Sequence, residues 1–291
     1  VLAAAAAGAG LGDWSLDPPL VLSVDLAVLY WLGSRRTVTP LRKQAAQRWR
    51  SAAFYSALVV LVLALSSPLD VLSEQLFWAH MLQHILLMLV AAPLIVLARP
   101  WIRLWRCLPL ASRRWLARGL SRGRRTGPLR ALSAFIGRPL ASFTLFSVVL
   151  LGWHLPGMFD ATLRSSALHG LEHTMFLAAA VLFFKQVIPS PPLHLSLAAP
   201  MRVLYAIGAM IVSWVLAVVL ALAPHALYAH YAHEVSRPGG ISALADQQLA
   251  AGIMWVPGSI TFLIVVFVYV HRWLMPGEPG STRSPRLASE H

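Results

Sequence analysis

Seven stretches of this chain are apolar over runs long enough to cross a bilayer: residues 18–34, 50–67, 76–98, 139–155, 168–188, 201–223 and 248–273. A hydrocarbon core of about 30 Å needs roughly 20 helical residues to span it. Lipid offers no partners to exposed backbone N–H and C=O groups, so such stretches are expected to be helices. The first is the weakest, being short and carrying Asp25. The expected fold is therefore all-α, an integral membrane bundle of seven transmembrane helices occupying residues 18–275. Residues 1–17 form an N-terminal outer segment whose Ala/Gly-rich start reads as a processed or truncated terminus. Residues 276–291, rich in Gly, Pro and Ser, read as a disordered cytoplasmic tail.

Composition agrees with that class. The 291 residues are 58% hydrophobic and only 12% charged. The net charge of +13 would suggest a nucleic-acid partner if it were evenly spread, but it is not. All 24 lysines and arginines except Arg164 and Arg237 fall in alternate loops or the tail, and among the acids only Glu278 and Glu290 share that side. The positive-inside rule then puts the N-terminus outside and the C-terminus in the cytoplasm. The basic excess is read as topology and as contact with anionic lipid at the cytoplasmic leaflet, with no nucleic acid involved. Residues 99–138 interleave eleven arginines with Trp101, Ile102, Leu104, Trp105, Leu108, Trp115, Leu116 and Leu120. That pattern predicts an amphipathic helix lying on the inner leaflet, in preference to a solvated connector. The single cysteine, Cys107, rules out an internal disulfide and a thiolate metal cluster.

Chemistry concentrates at one depth. His80-Met81-Leu82-Gln83-His84 opens the third span and His169-Gly170-Leu171-Glu172-His173 opens the fifth. Residues i, i+3 and i+4 share a helix face, so each block presents two imidazoles and an oxygen-bearing group together. His154, held by Pro156 at the end of the fourth span, lies at the same level. Ionisable groups at membrane depth are costly and usually functional. His80, His84, His154, His169 and His173 are therefore the candidate metal ligands. Asp70, Gln83, Asp160, Glu172 and Asp246 are candidates to orient or neutralise them, because a ligating imidazole normally donates its other N–H to a carboxylate or carbonyl. Asp70, Asp160 and Asp246 are equally readable as helix N-caps. Met81 and Met254 lie shallow enough to be soft ligands, though packing is the usual role of methionine. A donor set rich in His, with Met within reach and no Cys, fits copper; zinc remains compatible with the same ligands.

Several separated motifs together resemble the multi-spanning CtaG family of cytochrome c oxidase assembly factors. They are Ser67-Pro68-Leu69-Asp70, Ala79 to His84, Ala92-Pro93-Leu94, Arg99-Pro100, Trp153-His154-Leu155-Pro156 with Asp160, Leu168 to His173, and Asp246-Gln247-Gln248 with Met254 to Gly258. The similarity runs over roughly residues 20–273. It implies a seven-span protein of the bacterial cytoplasmic membrane needed to make an active haem–copper oxidase, with oxidase subunits as partners and a copper-handling role. Two other readings stay open from the residues alone. His169, Glu172 and His173 match the H-x-x-E-H pattern of a zinc-dependent hydrolase, and imidazoles on facing helices could ligate haem b.

Overall fold

The computed structural model describes residues 18–37, 40–123, 126–191, 197–234 and 237–275. The outer segment 1–17 and the tail 276–291 lie outside the described residues. The chain folds into helices α1 (Pro18–Arg35), α2 (Gln44–Leu65), α3 (Pro68–Gln75), α4 (Phe77–Ala98), α5 (Trp101–Cys107), α6 (Leu110–Arg122), α7 (Gly127–Ile136), α8 (Pro139–Trp153), α9 (Pro156–Arg164), α10 (Ser166–Val187), α11 (Ala199–Leu222), α12 (Ala229–His233) and α13 (Ala243–Leu274).

Five of these, α2, α4, α10, α11 and α13, are long and apolar enough to cross a membrane. The count rises to six if α7 and α8 together make one span, but they meet at 81°. The seven expected spans therefore reduce to five or six by length and composition. The reasons are local. Alone, α8 has 15 residues, about 22 Å of helix, short of the hydrocarbon thickness. Gly137-Arg138-Pro139 breaks it from α7, since the residue before Pro is pushed out of helical geometry. Helix α1 has 18 residues but begins with Pro18-Pro19, carries Asp25 and ends on Arg35.

The expected single amphipathic helix over 99–138 is instead three short helices, α5 to α7, separated at Leu108-Pro109 and around Gly123. Trp105, Trp115, Leu129 and Phe135 are exposed along them. Helix α5 docks on α1 so closely that a Cβ at Gly33 would lie 1.9 Å from the Arg103 carbonyl oxygen. The Arg103 guanidinium donates to Tyr30 Oη at 3.0 Å and Ser51 Oγ at 2.7 Å, tying α1 and α2 together.

Two apolar cores result. A smaller one joins α1, α2 and one face of α4 through Tyr30, Phe54, Leu58, Leu61 and Leu87. The larger joins α4, α8, α10, α11 and α13, with Phe146, Phe176, Phe183, Phe184 and Phe262 filling its centre. Helix α4 is shared by both. Midway it widens into a π-helical segment, Leu86–Ala91, in which the Ala92 amide bonds back to the Leu87 carbonyl. Pro93 follows directly and has no N–H for the Leu89 carbonyl. The Thr261 hydroxyl of α13 donates to that carbonyl at 2.7 Å. Such π segments re-aim side chains and recur at functional sites.

Candidate metal centre

The site begins with the start of α4. Leu76 is extended, breaking α3 from α4, and the first α4 amides would be orphaned in apolar surroundings. Asp246, fully buried in the first turn of α13, accepts from the amides of Phe77 at 2.8 Å and Trp78 at 2.9 Å. This cap acts across the bundle and sets the height of α4 against α13. His80 and His84 then fall on the face turned toward α10.

Helix α10 supplies the other half, starting at the Ser165 cap. Donor atoms of His80, His84, Glu172 and His173 all lie within 4.8 Å of one another. His80 Nε2 is 2.9 Å from His84 Nε2. Glu172 Oε2 is 3.7 Å from the first and Oε1 is 3.8 Å from the second. A tetrahedral ion with bonds of about 2.0 Å spaces its ligands about 3.3 Å apart. The observed separations straddle that value. His80 and Glu172 are fully buried, and His84 and His173 nearly so. The rings of Phe159 and Phe176 cover His80 and His84 at 4.9 and 4.4 Å.

Protein groups leave this cluster unsatisfied. Both Glu172 oxygens and His173 Nε2 are buried without a hydrogen-bond partner, while the Nε2 atoms of His80 and His84 face each other at 2.9 Å. The Thr162 hydroxyl lies beside the carboxylate but is committed to the Phe159 carbonyl at 2.7 Å. Buried polar atoms without partners each cost about 1–3 kcal/mol, and a charged one more. A cation bound by them would remove that cost. Three imidazoles and one carboxylate suit a first-row transition ion.

Tautomers follow from the surrounding bonds. The Tyr231 hydroxyl has one hydrogen and gives it to the Ser73 carbonyl at 2.5 Å. His80 Nδ1, 3.2 Å from the same oxygen, must therefore donate to it. That leaves the His80 Nε2 lone pair directed into the cluster, the arrangement a ligating imidazole requires. No sequence signal marked Tyr231. It sits in the short α12 between His230 and His233, outside any periodic pattern.

The remaining expected residues are distributed as follows. His169 lies one turn outward from His173, half-buried, with its ring 4.2 Å from His173 and 5.1 Å from His80 and its Nε2 unpartnered. It is outside the four-residue group. His154 Nδ1 donates to the Leu150 carbonyl at 2.7 Å, and its Nε2 meets Met81 Sδ at 3.3 Å. Its ring is 5.9 Å from His84. Met254 is buried on α13 and lines a small cavity with Met81, His84 and His154. Gln83 faces away: its amide nitrogen donates to the Ala64 carbonyl at 2.7 Å and to Asp70 Oδ1 at 2.8 Å, joining α4 to α2 and α3. Asp160 accepts from the amides of Ala229 and His230, each at 3.2 Å, and so fixes the start of α12. Asp70, Asp160 and Asp246 thus all hold helices in place, the last two as caps on other helices.

Two curated mycobacterial proteins resemble the chain: uncharacterized protein Mb0105 of Mycobacterium bovis and uncharacterized protein MT0111 of Mycobacterium tuberculosis. Each is 24% identical over 246 residues, covering 82% of this chain and 36% of the relative. The chain thus spans about a third of the length of these relatives. No solved structure matches it. The profile of the cytochrome c oxidase caa3 assembly factors matches residues 28–275, which include every residue of the cluster, and the chain belongs to that family.

Proposed function

We propose that this multi-pass protein is an assembly factor of the bacterial cytoplasmic membrane that binds copper as cargo and delivers it to a subunit of a haem–copper cytochrome c oxidase. The family description supplies the oxidase. The observation that carries the copper reading is the buried convergence of His80, His84, Glu172 and His173, in which both Glu172 oxygens and His173 Nε2 have no hydrogen-bond partner. Three neutral imidazoles and one carboxylate would hold the ion, and His169, one turn outward, would be its first contact on arrival or departure. Cargo must leave again, so a set with half-buried His169 at its edge suits exchange better than a closed tetrahedron of thiolates would. The oxidase subunits are the partners. In the same reading α1 is the seventh span, the His cluster faces outward, and the basic helices α5 to α7 rest on anionic lipid at the cytoplasmic leaflet.

Zinc shares these ligands. Against the hydrolase alternative, Glu172 is packed among His80, His84 and His173 with no exposed surface, where a substrate carbonyl would have to enter. Against haem b, the His84 and His173 rings are only 5.4 Å apart, a spacing suited to an ion. Elemental analysis and an absorption spectrum of detergent-purified protein test all three readings. Copper without a Soret band is expected. The double variant His80→Ala, His84→Ala should lose copper and lower oxidase activity while staying in the membrane, and the milder Glu172→Gln should lose copper in part. Unchanged copper content in both variants overturns the reading.

A further inference from the structure

Beneath the cluster, toward the centre of the bundle, lies a cavity of about 30 Å³. That is room for a single ion or one to two waters. Its walls include three methionines from two helices, Met81 and Met88 of α4 and Met254 of α13, together with the imidazoles of His84 and His154. Met81 and Met88 are seven residues apart, two turns along one helix face. Met88 belongs to the π-helical segment. Met88 and Met254 each sit eleven residues into their helices, about 16 Å along the axis from the end that carries the cluster.

One contact in this cavity is chemically incomplete. His154 Nδ1 gives its hydrogen to the Leu150 carbonyl, which can only accept. In the neutral ring Nε2 then carries a lone pair and no hydrogen. It faces Met81 Sδ at 3.3 Å, and a thioether also offers only lone pairs. Two Lewis bases thus meet with no proton between them, both buried. A cation shared by nitrogen and sulfur resolves that pairing, and thioether donors select a soft one.

We propose that Met81, Met88, Met254 and His154 form a second, softer subsite that takes monovalent copper, one step deeper than the His/Glu cluster. His84 belongs to both sites, since its Nε2 stands in the cluster and its ring walls the cavity. The subsite itself stands on the cavity and the His154–Met81 pair. Its place as the inner station of a copper path, along which the ion moves as Cu(I) throughout and divalent ions serve only as probes of the cluster, rests on the function proposed above. Ring spacings of 4.2 Å for His169–His173, 5.4 Å for His173–His84 and 5.9 Å for His84–His154 give short steps from outer rim to inner chamber.

Silver(I) and selenomethionine supply the test. Full-length protein labelled with selenomethionine and loaded anaerobically with Cu(I) should show metal–selenium backscattering in X-ray absorption at the copper edge. Wild-type protein should bind silver(I), and the triple variant Met81→Leu, Met88→Leu, Met254→Leu should bind one equivalent less. Leucine preserves volume, so folding is checked by retained zinc(II) or copper(II) binding at the His/Glu cluster. Conversely, Glu172→Gln with His173→Asn should lose the divalent ion and keep silver(I). Absence of a metal–selenium distance, or full silver(I) stoichiometry in the triple Met variant, overturns the soft subsite. Silver(I) bound through selenium in a wild-type protein that takes no divalent ion would support the subsite and sink only the His/Glu reading.

Discussion

Tyr231 decides which nitrogen of His80 is free. Its hydroxyl spends its one hydrogen on the Ser73 carbonyl and so receives the Nδ1 hydrogen of His80, leaving Nε2 open toward His84 and Glu172. Partners of this kind typically govern metal affinity by 10–100-fold, roughly. Tyr231→Phe keeps the ring, which packs against Phe77 at 5.5 Å, and removes only the hydroxyl. If the cluster holds copper as proposed, its affinity should fall by about one order of magnitude or more with little loss of fold. A competition titration against a chromogenic chelator measures it, and an unchanged affinity would remove Tyr231 from the site.

Asp246 acts through α4 without reaching the cluster. Asp246→Asn retains one acceptor and loses the charge assistance to the Phe77 and Trp78 amides. The expected cost is about 1–3 kcal/mol of stability. Asp246→Ala should cost more, because two buried amides are then left without an acceptor. Thermal unfolding in detergent orders the three proteins as wild type, Asn, Ala. Equal melting temperatures would mean that water replaces the carboxylate.

Thr261 and Leu89 offer a test of the π-helical segment. Thr261→Val is isosteric and strands the Leu89 carbonyl, which Pro93 cannot serve. A loss of about 1 kcal/mol is expected. Thr261→Ser should recover most of it. A neutral Val variant would show that the segment satisfies this carbonyl internally.

Gly33 probes the other end of the molecule. Its Cα faces the Arg103 backbone, and a methyl group there overlaps the carbonyl oxygen. Gly33→Ala should force α5 off α1 at a cost of about 1–3 kcal/mol and open the α5–α6 region to protease. The copper content proposed for the cluster should hold, because the cluster lies on α4 and α10. Loss of copper together with protease sensitivity would instead couple the basic helices to the metal site.

How much of this was legible beforehand varies by element. The stretches 76–98, 168–188, 201–223 and 248–273 each became one long helix, since continuous apolar runs leave a chain in lipid no other regular structure. The stretch 139–155 was less well read: it marked α8, but not the 81° turn that joins α8 to α7, because a hydropathy run carries no direction. The basic loop was recognisably amphipathic, yet Pro109 and the break near Gly123 divide it into three helices.

At the site, the i, i+4 spacing put His80 with His84 for local reasons alone, since helical geometry places those side chains on one face; the same rule grouped His169 with Glu172 and His173, of which the cluster takes only the last two. The sequence by itself therefore determined that imidazoles and a carboxylate would be presented at one level of a helical membrane bundle. Only the tertiary structure decided that His173 enters the cluster and His169 stays at its edge, that Asp246 caps a helix about 170 residues earlier, and that Tyr231 sets a tautomer. It also placed Met254 of α13 beside Met81 and Met88. Those outcomes depend on how helices rotate about their axes and how high they sit against one another. Packing and buried hydrogen bonds between distant segments set both, and no local pattern encodes them.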